Sequence, residues 1–297
     1  MQSAPAQTAL PTVRMGTLAI DAGGQVFYGT DTGIFSANGI TPQVELLSSG
    51  AAIIAAILSG DLEVGASNPL QVATAIARGI PIQMIAPGCL YSKRDASANL
   101  FVAKASSIAK PQDLIGATFG VGALGDFNQL SLLAWLDKND VPRDGVKFVE
   151  LKFSELGLAL QRGTVQAAII AEPAKTEALR AGLVREFGDT YLSIEPELCP
   201  LLWVAAKAWL QKNSDTAKSV VKGLYATAKW ANANMRQSGD ILAKYSKVDP
   251  AVIATTKRLY FATANDRRYV EPILELAVRY HMVPRPVTFE EFSAFSK

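Results

Sequence analysis

The side chains able to do chemistry are few, and most sit in short polar stretches that follow apolar runs. Ser67-Asn68-Pro69 closes the run LEVGA, and Glu172-Pro173 closes VQAAIIA. Ser48-Ser49-Gly50 follows VELL, Leu124-Gly125-Asp126 precedes FNQL, and Asp21 to Gly24 follows the first apolar run. Hydroxyls, amides and small residues at helix starts suit recognition of a small polar solute, because the first-turn N–H groups have no partner within the helix. None of these stretches contains Lys or Arg. An anion would therefore be held by N–H groups and hydroxyls, which suffices for one negative charge. A dianion would be repelled by Asp126 and Glu172. The ligand-contacting candidates on this reading are Gly24, Tyr28, Ser49, Gly50, Ser67, Asn68, Gly125, Asp126 and Glu172. Each has a plainer alternative. Ser49 and Asp126 can cap helices, Asn68 can be a turn residue before Pro69, and of Phe27 and Tyr28 one is expected in the core.

Other chemistries lack their residues. His281 is the only histidine, and the two cysteines, Cys89 and Cys199, have no metal-ligand spacing. A His-dependent triad and a multi-His metal site are thereby excluded within the chain, and no metal or cofactor is expected. No P-loop, GxSxG or HExxH is present. The stretch GVGALG has the wrong glycine spacing for a dinucleotide fingerprint and no suitable acid about 20 residues on. Net charge is +2, from 29 basic and 27 acidic residues, which gives no electrostatic footprint for nucleic acid. Every apolar run breaks well before the ~18 residues of a membrane helix. The start, MQSAPAQTALPTVRM, has no basic segment leading into an apolar one, and residues 1–11 read as the flexible Ala/Pro/Gln-rich leader of a mature exported product.

The elements that must position these residues alternate. Strands are predicted at 13–19, 44–47, 62–66 and 81–87, and helices at 51–59 and 70–79 between them. One helical face is expected over 27–40, stopping at Asn38-Gly39. The alternation restarts with strands at 99–104, 117–123, 146–151 and 165–171, a short helical turn at 110–116, and helices at 125–141, 154–163 and 174–182. Short βα connections of this kind indicate parallel α/β units. Residues 44–69 and 148–173 share a plan, with Val44-Glu45-Leu46 recurring as Val149-Glu150-Leu151 and a helix-closing glycine in each. Two similar α/β lobes account for this better than a repeat array. From about 207 onward the pattern is helical, including 249–261 and 269–283.

At this point the residues carry a family likeness. FYGTDTGIFSANGI (27–40), LSGDLEVGASNP (58–69), KPQDLIGATFGVG (110–122) and RGTVQAAIIAEP (162–173) resemble, in order, four stretches of ABC-transporter solute-binding proteins. The group takes in nitrate, sulfonate, taurine and pyrimidine-precursor binders, and the likeness spans roughly 13–206. Glu63 and Gln166 stand where the group usually has Asp, and Gly116-Ala117 where Gly-Lys is usual; these positions are read as structural. The resemblance implies an α/β protein of type 2 periplasmic-binding-protein architecture: two Rossmann-like lobes joined by two crossing strands, with a helical C-terminal extension. Lobe 1 would comprise 12–88 and 199–297, and lobe 2 would comprise 89–198. A single small organic solute, monoanionic or zwitterionic, would sit in the cleft, and hinge closure would trap it. The solute could be sulfonate-, carboxylate- or heterocycle-like. Trp203, in the crossing strand LLWVAA, joins the candidate contacts. A membrane permease would be the partner, the protein a monomer, and its place the periplasm or an exported, membrane-tethered position. A cofactor-biosynthesis enzyme on the same fold is the alternative. The resemblance also puts Cys89 and Cys199 near the crossings, where two separate buried thiols are preferred over a disulfide.

Overall fold

The computed structural model describes residues 9–295; of the leader predicted at 1–11, residues 1–8 lie outside them. The chain begins with β1 (Thr12–Thr17), α1 (Gln25–Asp31), α2 (Ile34–Ala37), β2 (Thr41–Leu46), α3 (Gly50–Ser59), β3 (Val64–Ser67) and α4 (Pro69–Ala77). It continues through β4 (Ile82–Ser92), β5 (Ala98–Ala103), β6 (Thr118–Val121), α5 (Phe127–Lys138), β7 (Lys147–Glu150), α6 (Phe153–Gln161) and β8 (Ala167–Ala171). Next come α7 (Ala174–Arg180), β9 (Val184–Gly188), β10 (Glu197–Ala206), α8 (Lys207–Lys212), α9 (Ser214–Ala233) and α10 (Met235–Ser246). The chain closes with α11 (Pro250–Ile253), β11 (Tyr260–Phe261), α12 (Glu271–Arg279) and α13 (Phe289–Phe292).

The strands form two sheets with the same plan. The six-stranded sheet has the order β11-β4-β10-β3-β1-β2 and the five-stranded sheet β7-β6-β8-β5-β9. In each, a parallel trio is followed by an antiparallel strand: β10 beside β3 in the first, β5 beside β8 in the second. The repeated stretches are the matching units β2-α3-β3 and β7-α6-β8. Their two departures from the family pattern also do the same thing. The Glu63 carboxylate accepts the Arg14 backbone N–H at 2.7 Å, and the Gln166 side-chain Oε1 accepts the Thr118 N–H at 2.9 Å. Each ties the lead-in of the third strand of a lobe's parallel trio, β3 or β8, to the backbone of that trio's first, β1 or β6.

Two lobes follow from this, and the chain crosses between them twice. β4 pairs antiparallel with β10 from Ile82 and Ala206 to Ser92 and Glu197, with register shifts midway. β4 thus stays in the first sheet to Ser92, a few residues beyond the boundary expected at 88/89, and the crossings fall at 93–97 and 189–196. Cys89 lies opposite Leu201 in this ladder. Both cysteines are buried and free.

Packing explains where the elements sit. In the first lobe α3 and α4 bury Ile53, Ile57, Val72 and Ile76 against Met84, Leu202 and Val204 of the sheet. In the second, Leu156 and Leu160 of α6 meet Phe101, Ile170 and Val184. Burying such side chains stabilises by about 1.5–3 kcal/mol each. The long helix α9 covers α1 and α2 and brings Val220, Leu224 and Ala228 into the main core.

Three expectations are corrected. The predicted face over 27–40 is two helices, broken where Gly33 takes φ 71°, a conformation that costs glycine little. The helix predicted over 249–261 ends at Ile253, because Leu259 and Phe261 are buried and Tyr260–Phe261 extend the first sheet beside β4. The unforeseen β9 edges the second sheet beside β5.

Candidate ligand cleft between the lobes

The tips of the parallel strands from both sheets converge on one cleft, which holds about 880 Å³ of atom-free space including its mouth. The first lobe contributes Asp21, Ser48, Ser49, Gly50 and Asn68; the second contributes Ser97, Asp126, Phe127, Asn128, Phe153, Glu172 and Tyr191. This is the crevice beyond the carboxyl ends of the strands where α/β sheets bind ligands.

Three helices begin on its walls. Ser49 caps α3, its Oγ accepting the Ala52 N–H at 3.2 Å. Asn68 caps α4, its Oδ1 accepting the Gln71 N–H at 2.9 Å. Asp126 caps α5, accepting the Gln129 N–H at 3.1 Å. Capping and cleft lining therefore coincide at all three residues. The dipoles place partial positive charge at the cleft from both lobes.

Of the sequence candidates, Ser49, Gly50, Asn68, Asp126 and Glu172 line the cleft. Gly24, Tyr28, Ser67, Gly125 and Trp203 do not, each for a visible reason. Tyr28 is fully buried, and its hydroxyl donates to Asp21 at 3.3 Å while accepting from Arg258 at 2.7 Å. Gly24 lies over that ring, and a Cβ there would overlap the Tyr28 hydroxyl. Trp203 is 1% exposed and donates its indole N–H to Gln25 Oε1 at 2.7 Å. Ser67 lies below the surface, its Oγ donating to Gln71 Oε1 at 3.1 Å. Gly125 turns the chain at φ 68° ahead of Asp126. These residues brace the walls without facing the ligand space.

The polar stretches at the strand tips contain no Lys or Arg, and the wall has none among its lining residues. The fold brings two up from behind. Arg258, 237 positions from Asp21, donates its Nε to Asp21 Oδ1 at 2.7 Å, and the Leu259 N–H satisfies Oδ2 at 2.8 Å. Lys175 approaches Glu172 at 3.9 Å and donates to Ala96 O at 2.6 Å and Asn99 Oδ1 at 2.7 Å. Burial pushes the Glu172 carboxyl up and the Lys175 ammonium down, each against its partner's charge. Asp126 differs from both. Its oxygens take hydrogen bonds from neutral amides, Gln129 N–H and Asn128 Nδ2 at 2.8 Å. Burial raises its carboxyl to about 6, outweighing those bonds.

Aromatic residues line the second-lobe wall together with Asp126. Phe127 and Tyr191 meet edge to face with centroids 4.7 Å apart, and Phe153 lines the same side. The Tyr191 hydroxyl donates to Asn128 Oδ1 at 2.7 Å, which orients the amide that serves Asp126. Phe127, Asn128, Phe153, Ser97 and Tyr191 were missed in the sequence. Phe127 and Asn128 directly follow Asp126 at the helix start, the one local signal available; the others come from separate loops.

The sequence profile described as NMT1/THI5 like matches residues 24–237. The taurine-binding periplasmic protein of Escherichia coli (strain K12) is 29% identical over 192 residues, a stretch covering 62% of this chain and 56% of that protein, so the match spans little more than half the relative's length. Among solved structures, a ligand-binding component of an ABC-type import system from Staphylococcus aureus superposes with a TM-score of 0.81 at 14% identity, over 95% of this chain and 96% of that one. The periplasmic aliphatic sulphonate binding protein of Escherichia coli gives a TM-score of 0.78 at 19% identity, over 95% and 97%. These superpositions show the shared two-lobed fold, and the profile match covers most of the chain: the protein belongs to the NMT1/THI5-like family.

Proposed function

We propose that the protein is the solute-binding component of an ABC importer, capturing one small organic solute in the inter-lobe cleft by hinge closure. The observation that carries this reading is the cleft itself, built from matching strand-tip loops of two lobes with three capped helix starts on its walls. The relatives' printed roles, taurine and aliphatic sulphonate binding, are in keeping with a monoanionic or zwitterionic solute of sulfonate, carboxylate or heterocyclic type. Catalysis is the weaker reading. His281 is exposed and away from the cleft, and Cys89 and Cys199 are buried off its walls. A membrane permease is the proposed partner. An exported or periplasmic monomer is the proposed arrangement, its lobes close to 12–88 plus 199–297 and 89–198, with the bounds moved to the crossings at 93–97 and 189–196. A thermal-shift screen over sulfonates, amino-sulfonates, carboxylates, nitrate and pyrimidines tests it, since a bound solute raises Tm with concentration. Calorimetry on any hit is expected to give one site per chain. Two independent sites, or turnover of the hit, would reject the proposal.

A further inference from the structure

The second crossing carries a chain of side-chain contacts that ends at the cleft. It starts from Tyr91 near the end of β4, a residue that is fully buried and stands outside the cleft lining. The Tyr91 hydroxyl lies 2.8 Å from Ala98 O, directly after the first crossing, and 2.7 Å from Asp189 Oδ2, which opens the second. A phenol has one proton to donate. The two acceptors share it, so a single oxygen of the first lobe holds both crossings. Burial and the neighbouring Asp189 carboxylate push the phenol far above its usual range, which keeps that proton in place. From Asp189 the contacts run on into the second lobe. Its other oxygen, Oδ1, accepts the N–H groups of Tyr191 at 3.1 Å and Leu192 at 3.2 Å, fixing the turn from which Tyr191 reaches the cleft. The Tyr191 ring packs against Tyr91 with centroids 4.6 Å apart, and on its other side against Phe127. Its hydroxyl holds Asn128, which in turn donates to Asp126.

We infer that Tyr91 is a positioning residue for the cleft: it pins the two crossings at one point and, through Asp189, Tyr191 and Asn128, sets the second-lobe wall that carries Asp126. The inference rests on the hinge closure of the solute-binding reading and goes beyond it in naming how hinge and wall are joined. Bonds at a pivot keep their length as two lobes turn, whereas contacts far from it must break. Tyr91 therefore fixes the axis of the motion without opposing the motion. Loosening the pin frees the wall, and ordering the wall steadies the pin, because a coupling between two places acts both ways.

The test uses the full chain without any solute, so it stands apart from the question of what the cleft captures. Spin labels on Ser36→Cys in the first lobe and Gln161→Cys in the second, both exposed, report the spread of inter-lobe distances; the native thiols are buried. Proton exchange of the Asn128 side-chain amide reports the wall. Tyr91→Phe, which keeps the ring, is expected to broaden the distance distribution and to speed Asn128 exchange about three- to ten-fold, as loss of one hydrogen bond allows. Asp189→Ala removes the same bond from the other side and is expected to do both. Asp189→Asn keeps a carbonyl for the two N–H groups and offers an amide N–H to the Tyr91 hydroxyl, so it is expected to do neither. A native value of either readout in Tyr91→Phe overturns the inference, as does the same result in Asp189→Ala should Tyr91→Phe not fold. Equal effects of Asp189→Asn and Asp189→Ala also overturn it. So does faster exchange spread evenly over the amides of both lobes, the mark of a general loss of stability. None of these results touches the solute-binding reading, which the solute screen tests by itself.

Discussion

The Tyr280 hydroxyl donates to Asp137 Oδ2 at 2.9 Å, joining the end of α12 in the first lobe to α5 in the second. Arg143 lies 5.0 Å over the Tyr280 ring and pairs with Asp137 at 3.2 Å, so the contact is a small cluster. A separate tie runs from Arg180 of α7 to Thr255 Oγ1 at 2.7 Å. Neither bond can survive a wide separation of the lobes.

Tyr280→Phe removes the hydroxyl and keeps the ring. A hydrogen bond of this kind contributes about 0.5–1.5 kcal/mol, so the lobes are expected to part more often. Small-angle scattering of the ligand-free variant should give a larger radius of gyration, and solute dissociation should rise by up to about ten-fold. Identical scattering and identical rates would show that this contact does not hold the closed form.

Asp126 makes stability depend on pH. Its folded-state carboxyl, raised to about 6 by burial, binds its proton more tightly than the unfolded chain does. The folded form is therefore favoured with Asp126 protonated. That advantage is full below about pH 4 and is lost as pH rises through about 6, a change of about 3 kcal/mol. Asp126→Asn is expected to flatten this part of a urea-unfolding series between pH 4 and 7; an unchanged slope would refute the assignment.

Asn68, a ligand-contacting candidate, lines the cleft with its Oδ1 engaged by the Gln71 N–H. Asn68→Ala should therefore cost about 1 kcal/mol of stability through the lost cap, a fall in Tm of roughly 2–4 °C for a chain of this size. Asn68→Ser restores a capping oxygen and should recover most of it. If the serine variant regains stability but not solute affinity, the free amide of Asn68 faces the ligand. Recovery of both would leave the residue a cap alone.

Cys89 and Cys199 are free and buried, with burial pushing the Cys199 thiol up to about 12 and Cys89 well above its usual range. Thiolate, the reactive form, is scarce under those conditions. A thiol reagent at neutral pH is expected to find no thiol in the folded protein and two after denaturation without reductant. Fewer than two would mean that the cysteines are oxidised.

What was legible in the chain was local. The repeat of Val-Glu-Leu, helix, glycine and apolar run announced β2-α3-β3 and β7-α6-β8, and the polar residues at their ends announced the cleft. Three of the helix-start candidates, Ser49, Asn68 and Asp126, were legible because caps are written within four residues. The Asp21–Arg258 pair was not, since no local signal links residues 237 positions apart. β9 was missed because VREFG interleaves charges with few apolar residues, as an edge strand allows. Tyr28 and Trp203 were misplaced for a related reason. Their polar tips find partners in Arg258 and Gln25, which only the assembled core brings near.

The position of β10 between β3 and β4 has a consequence for how the chain acquires its shape. The second sheet draws on one continuous stretch, 98–188, and every contact it needs is present once that stretch exists. The first sheet cannot seal until residues 197–206 return from the far side of that insert and slide between two strands made over a hundred residues earlier. Closing so long a loop is the slow kind of contact. During synthesis, the lobe encoded in the middle is therefore free to form first, while the lobe that opens the sequence remains incomplete and exposes β3 and β4 edges until β10 arrives.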